Sequence, residues 1–105
     1  MTSSRFAESA NADLKGIASH TLESWGAAQT ITYLDGLEAV VKKLAHNPKL
    51  GKACNILAEG LRSFQYESHV IYYLEEEGIV VVRVLHVRMS APLHIDPTTG
   101  GDSNA

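Results

Sequence analysis

The chain has 105 residues, 45% of them hydrophobic and 20% charged, the size and make-up of one domain around one core. Nine basic against twelve acidic residues give a formal charge of −3, and the stretch up to Ile95, without Asp96 and Asp102, still stands at −1; a grip on a long run of phosphates calls for a basic excess, so composition argues against a general nucleic-acid binder. No apolar run approaches a membrane span, nothing apolar follows Met1–Arg5 to make a signal peptide, and Cys54 is the single cysteine, all of which point to a cytosolic protein without membrane contact, disulfide or cysteine-built metal site.

Arg5–Ala7 carries the faint signal of a short strand. Behind it, Ala10, Leu14, Ile17, Ala18, Thr21, Leu22 and Trp25 recur at helical spacing and share one face. Gly26 punctuates, and a second helical stripe follows in Ile31, Leu34, Leu37, Val41, Leu44 and Ala45, widened by Tyr33 and Val40. Asn47-Pro48 ends it, because proline lacks a donor and disfavours helical geometry at the residue before it. So short a link predicts an antiparallel helical hairpin, with Trp25 as the anchor of its core.

The second half reads as strands. Leu61–Tyr66 is short, His69–Leu74 is rich in β-branched and aromatic residues, and Ile79–Val87 is richer still. Glu75-Glu76-Glu77-Gly78 is a solvated turn joining the last two into a hairpin. Strict alternation along the last strand puts Val80, Val82, Val84 and His86 on one, almost wholly apolar face expected to pack on the helices, and Ile79, Val81, Arg83, Leu85 and Val87 on the other, partly solvated one. Pro92 stops the strand, yet Met89, Leu93 and Ile95 beyond it are apolar. They either fold back over the sheet or form a protein-binding surface. From Asp96 to Ala105 the chain has too little apolar surface to offset its ordering entropy, so a domain over 1–95 with a flexible polar tail over 96–105 is expected. The expected architecture is α+β: a helical hairpin packed on a small, mainly antiparallel sheet.

Residues able to carry chemistry are few. A phosphodiester-cleaving site needs a base, an acid and cations around one phosphate, for which Arg62, His69, Arg83, His86 and Arg88 are the candidates. Residues 60–95 hold no lysine and four glutamates, which weighs against that use. His86 reads as a histidine at the core's edge bonded to a backbone group. Arg62 and Arg83 each call for a carboxylate, either within the chain or on a partner. His20, His46 and His94 have no ligand spacing, so no metal site is expected, and Cys54 reads as a small half-buried residue.

The landmarks, taken in order, resemble those of the ParE branch of the ParE/RelE superfamily. Asp13-Leu14 followed by Ile17 is similar to the family's first helix, and Trp25-Gly26-Ala27-Ala28-Gln29 with Tyr33-Leu34 resembles the start of its second. Ala45-His46-Asn47-Pro48-Lys49-Leu50-Gly51 looks like that helix's exit, and Gly60-Leu61-Arg62-Ser63, His69-Val70-Ile71-Tyr72-Tyr73 and Val82-Arg83-Val84-Leu85-His86 like the strands that follow. The resemblance spans roughly residues 5–95. It implies the toxin of a type II toxin–antitoxin system, one that poisons DNA gyrase by binding, without a catalytic residue or cofactor. It also implies a cognate ParD-like antitoxin, whose C-terminal segment is disordered when free. Leu14, Tyr33, Leu37, Val40, Arg62 and Arg83 are the candidates for antitoxin contact, and Met89, Leu93 and Ile95 for contact with the target. A ribosome-dependent mRNA interferase of the RelE kind is the alternative, and a silenced toxin kept as an antitoxin partner is the third reading.

Overall fold

In a computed structural model, described over residues 3–89 and 91–95, strand β1 (Ser4–Phe6) leads into α1 (Glu8–Trp25) and α2 (Ala27–His46). A single 3-10 turn (Pro48–Leu50) and strands β2 (Lys52–Ala53), β3 (Arg62–Tyr66), β4 (His69–Glu75) and β5 (Ile79–His86) follow, and the short helix α3 (Ala91–His94) comes last. The expected tail over 96–105 lies outside the described residues. The five strands make one sheet in the order β1-β5-β4-β3-β2, antiparallel except where β1 runs parallel to β5. The expected α+β arrangement of a helical hairpin on a mainly antiparallel sheet is the one found.

Each helix end has a local cause. Gly26, at φ +90°, both closes α1 and opens α2, so one residue turns the chain back on itself. The α2 ladder stops at Asn47, ahead of Pro48. The exit loop is then fastened from the sheet. The Tyr73 hydroxyl donates to the Pro48 carbonyl at 2.6 Å and accepts from the Gly51 N–H at 2.9 Å.

Two apolar clusters sandwich the sheet. On the helical side, Ile17, Leu37, Val41 and Leu44 close over Ile71, Tyr73, Ile79, Val81 and Val84. On the other side, Ala58, Leu61, Val82, Leu85 and Ile95 pack together, flanked by Tyr72, Leu74 and Val80. Consecutive strand residues point to opposite faces, so β4 serves both clusters by simple alternation.

Strict alternation does not hold in β5. Tyr72 pairs with Arg83 but Tyr73 pairs with Val81, leaving Val82 as an extra residue. This β-bulge switches the parity of everything after it. Ile79 and Val81 face the helices, and beyond the bulge so does Val84, whereas Val80, Val82 and Leu85 face away. Val84 and His86 thus take the helical face expected of them, His86 opposite His69, whereas Val80 and Val82, expected there too, face the second cluster and Ile79 and Val81 take their place.

Trp25 departs from the sequence expectation. It is 73% exposed, and Leu22 and Ile31 beside the hairpin turn are 52% and 60% exposed. The last buried residue of α1 is Ile17, eight positions earlier, a span of about 12 Å along a helix. The hairpin tip therefore overhangs the sheet, and Trp25 has nothing beneath it to anchor.

Candidate functional site: a histidine-lined cleft under the hairpin tip

The overhang roofs a cleft of about 520 Å³ whose walls are α1, the start of α2, the β3–β4 turn and the end of β5. From α1 come Asp13, Ile17, His20 and Trp25; from α2, Gln29 and Tyr33; from the sheet, Ser68, His69, Val84, His86 and Met89. The polar groups converge at its floor. The Tyr33 hydroxyl lies 2.6 Å from His69 Nδ1, and the ring of His69 meets that of His86 edge-on at 5.4 Å. His86 Nδ1 accepts from the Arg88 N–H at 3.1 Å, the backbone bond expected of it. Tyr66 braces the corner: its ring lies 5.0 Å from that of Tyr33, and its hydroxyl donates to the Tyr33 carbonyl at 3.0 Å. That approach depends on Gly36, where a Cβ would collide with the Tyr66 hydroxyl.

Asp13 and Arg83 close one end. Arg83 reaches Asp13 through Nε at 2.7 Å and a second guanidinium nitrogen at 2.8 Å, a two-pronged pair with side chains only 22% and 13% exposed. The same carboxylate accepts from the Val84 N–H at 2.9 Å, and Arg83 also donates to the His94 carbonyl at 2.6 Å. Asp13 thus covers the β5 edge just past the end of β1. Its hydrogen bond raises the Arg83 pKa above the ordinary arginine range, outweighing burial, so the guanidinium stays charged. His69 moves the other way. Burial, followed by the positive fields of His86 and His20, lowers its pKa from 6.5, with Asp13 opposing.

The residues singled out from the sequence separate accordingly. Tyr33 stands in the cleft, and Leu14 and Val40 are half-buried against the helical core. Leu37 is 2% exposed and belongs to that core, so it offers no surface to an antitoxin. Arg83 has its carboxylate within the chain, and Arg62 donates to the Gly51 carbonyl at 2.5 Å, so neither stands waiting for a partner's acid. Of the apolar residues assigned to the target, Met89 and Leu93 are 41% and 82% exposed, whereas Ile95 is 5% exposed within the second cluster. Of the ribonuclease candidates, His69 and His86 meet and exposed Arg88 follows two residues after His86, whereas Arg62 sits at the far end of β3 and Arg83 is bound to Asp13. Among the described residues, no group of three or more His, Cys, Asp or Glu is placed to hold a metal ion.

The gathering of His20, His69 and His86 was not visible in their spacing. Its one sequence signal is the pairing of two strands that each carry a histidine, and this becomes a contact only through the bulge.

Comparison with known proteins agrees with this architecture. Residues 5–91 match the family model of the ParE toxin of type II toxin–antitoxin systems. Toxin ParE1 of Caulobacter vibrioides is 32% identical over 91 residues, covering 87% of this chain and 95% of its own length. Toxin ParE1 of Mycobacterium tuberculosis is 39% identical over 82 residues, covering 76% and 84%. Toxin ParE of Escherichia coli is 36% identical over 91 residues, covering 85% and 88%. In fold, a chain of the chromosomal ParDE system from P. aeruginosa superposes with a TM-score of 0.70 over 82% of this chain and 96% of that one, at 20% identity. A hairpin on a five-stranded sheet, a match through nearly all of it, and relatives sharing about a third of their residues lead to one assignment: the chain belongs to the ParE toxin family of type II toxin–antitoxin systems.

Proposed function

We propose that the protein acts by binding: it inhibits DNA gyrase in the cytoplasm and is neutralised by a ParD-like antitoxin whose amphipathic segment seats in the cleft. The observation that carries the antitoxin site is the overhang. Trp25 is 73% exposed above the cleft, with Leu22 and Ile31 exposed beside it. A large aromatic residue and its apolar neighbours left in water at the rim of a groove mark a docking surface. Tyr33 lines the groove, and half-buried Leu14 and Val40 pack against the helical core.

Family membership supports the gyrase reading, and the exposed Met89 and Leu93 after β5 are the surface proposed to meet that target. Met89 also lines the cleft. An antitoxin seated there covers part of the target surface, which accounts for neutralisation by occlusion without a further conformational change. Two measurements test the reading. The peptide encoded by the C-terminal half of the neighbouring antitoxin gene is expected to bind with nanomolar affinity and a gain of helical signal. Purified toxin is expected to inhibit gyrase supercoiling, and Leu93→Ala to weaken that inhibition while leaving antitoxin binding intact.

One observation favours the mRNA-interferase alternative: His69, His86 and Tyr33 do stand together. Arg83 is committed to Asp13, and no arginine or lysine lines the cleft among the described residues, Arg88 standing exposed outside it two residues past His86. A folded His86→Ala protein is expected to keep most of its toxicity. Loss of toxicity with antitoxin binding retained, together with cleaved mRNA in cells, would establish the interferase instead.

A further inference from the structure

The cleft floor gathers three imidazoles, His20, His69 and His86, beside one carboxylate that is already paired. The titratable and charged groups around His69 are His20 and Asp13 from α1, Tyr33 from α2, Tyr66 from β3 and His86 from β5, with Glu67 exposed in the β3–β4 turn and Arg88 exposed just past β5. The carboxylate that lines the cleft among the described residues is Asp13. Both of its oxygens are taken, one by Arg83 Nε and the Val84 N–H, the other by a second nitrogen of Arg83. The pair is internally balanced, so an imidazolium at His69 finds no free anion lining the cleft. It finds two more imidazoles, His86 at 5.4 Å between ring centres and His20 beyond.

We propose that antitoxin docking in this cleft is proton-linked: an uncharged apolar side chain of the antitoxin seats against the His69–His86 pair, and protonation of His69 in acid weakens the complex. This rests on the reading of the cleft as the antitoxin site. The occupant follows from charge complementarity: the floor has neither a free carboxylate nor a free arginine or lysine among the described residues, and Ile17, Val84, Trp25 and Met89 wall it with apolar surface. An apolar side chain inserted there removes water from rings that are still partly hydrated. Burial is already the leading cause that lowers the His69 pKa. More burial lowers it further, so the antitoxin prefers the deprotonated toxin. By linkage, docking then releases a proton wherever the free toxin is partly protonated, and affinity falls as pH falls. A further lowering of about one unit corresponds to about a tenfold loss of affinity in acid. Proton uptake also disturbs the floor directly. Once charged, His69 must donate from Nδ1 to the Tyr33 hydroxyl, whose own proton then turns toward the Tyr66 carbonyl at 3.5 Å.

The test is calorimetric titration of the full-length toxin with a synthetic peptide covering the C-terminal half of the neighbouring antitoxin. It is run at pH 8.0, 7.0 and 6.0 in buffers of differing ionisation enthalpy, with folding of the free toxin checked at each pH by circular dichroism. The expected result is a dissociation constant that rises as pH falls from 8.0 to 6.0, by no more than about threefold for a one-unit lowering because the free His69 already lies below 6.5, with proton release on binding. His69→Gln is expected to flatten that slope, and His46→Gln, at the far end of α2, to retain it. Tight binding with no pH slope overturns the proposal while leaving the antitoxin site in place. Tighter binding in acid overturns it as well, showing that the partner brings a carboxylate to the histidines. Absence of binding at every pH removes the antitoxin reading itself, and the proposal with it.

Discussion

At the scale of single residues, Asp13 is the side chain on which most depends. It joins α1 to β5, neutralises Arg83 and occupies an edge N–H that β1 is too short to reach. Replacing it by alanine leaves a half-buried guanidinium and a strand N–H without their acceptor. Asp13→Ala is expected to lower unfolding free energy by about 2–3 kcal/mol, read from urea denaturation, with Asp13→Asn recovering part of the loss. His69 sets an acid limit on the free fold. Its folded pKa lies below the ordinary 6.5, so the unfolded chain takes the proton more readily. The stability it confers is complete above about pH 6.5 and is lost as pH falls through the lowered folded value. The urea midpoint is therefore expected to fall from pH 7 to 5, and His69→Gln to reduce that decline.

At the scale of elements, the hairpin divides into a packed stem and an unpacked tip. In α2 the buried residues are Leu37, Val41, Leu44 and Ala45, all in its second half, and in α1 they are Ala10 and Ile17. The tip contributes little to the monomer's stability and offers its apolar surface to something else. Trp25→Ala is thus expected to shift stability by less than about 0.5 kcal/mol and to weaken antitoxin binding at least tenfold. A thermal scan beside a binding titration checks both. A large loss of stability would mean the tip is packed after all. The β5 bulge also acts locally, since one inserted residue brings His86 round to His69 and lets Leu85 fill the opposite core. A slip of one residue in a strand exchanges its faces, which is why so small a feature decides what the cleft contains.

For the whole molecule, the sheet has two cores of unequal origin. The larger is closed by the helices, the smaller by the segments around Ala58 and Leu61 and by Ile95 at the far end of the described chain. The segment after β5 therefore has two duties. Ile95 and the His94 carbonyl belong to the fold, whereas Met89 and Leu93 are exposed. Truncation after Arg88 removes the first duty with the second, and is expected to cost about 2–4 kcal/mol in stability. Truncation after Ile95 keeps both Ile95 and the carbonyl, and its urea midpoint is expected to match that of the full chain. Supercoiling assays on the shorter protein would thus confuse unfolding with loss of target contact. Leu93→Ala, at 82% exposure, separates them.

Periodicity and turn chemistry were sufficient for the two long helices and the three longer strands, though not for β2, the 3-10 turn or α3. The helical stripes, Gly26, Asn47-Pro48, the β-branched runs and the acidic turn gave a helical hairpin on a mainly antiparallel sheet, and ordered motifs pointed to the family. These are local signals, carried within a few residues of the feature they produce. Three outcomes depended on residues far apart in the chain. Trp25 lies in solvent because the sheet ends before the hairpin does, and no pattern within α1 records the length of the sheet. Arg83 found its carboxylate seventy positions away in Asp13. The histidines of the cleft face one another because a bulge in β5 reverses an alternation that the residues themselves leave intact. Register, overhang and long-range pairing minimise the free energy of the whole packed molecule, and for that reason only the tertiary structure decided what the cleft contains.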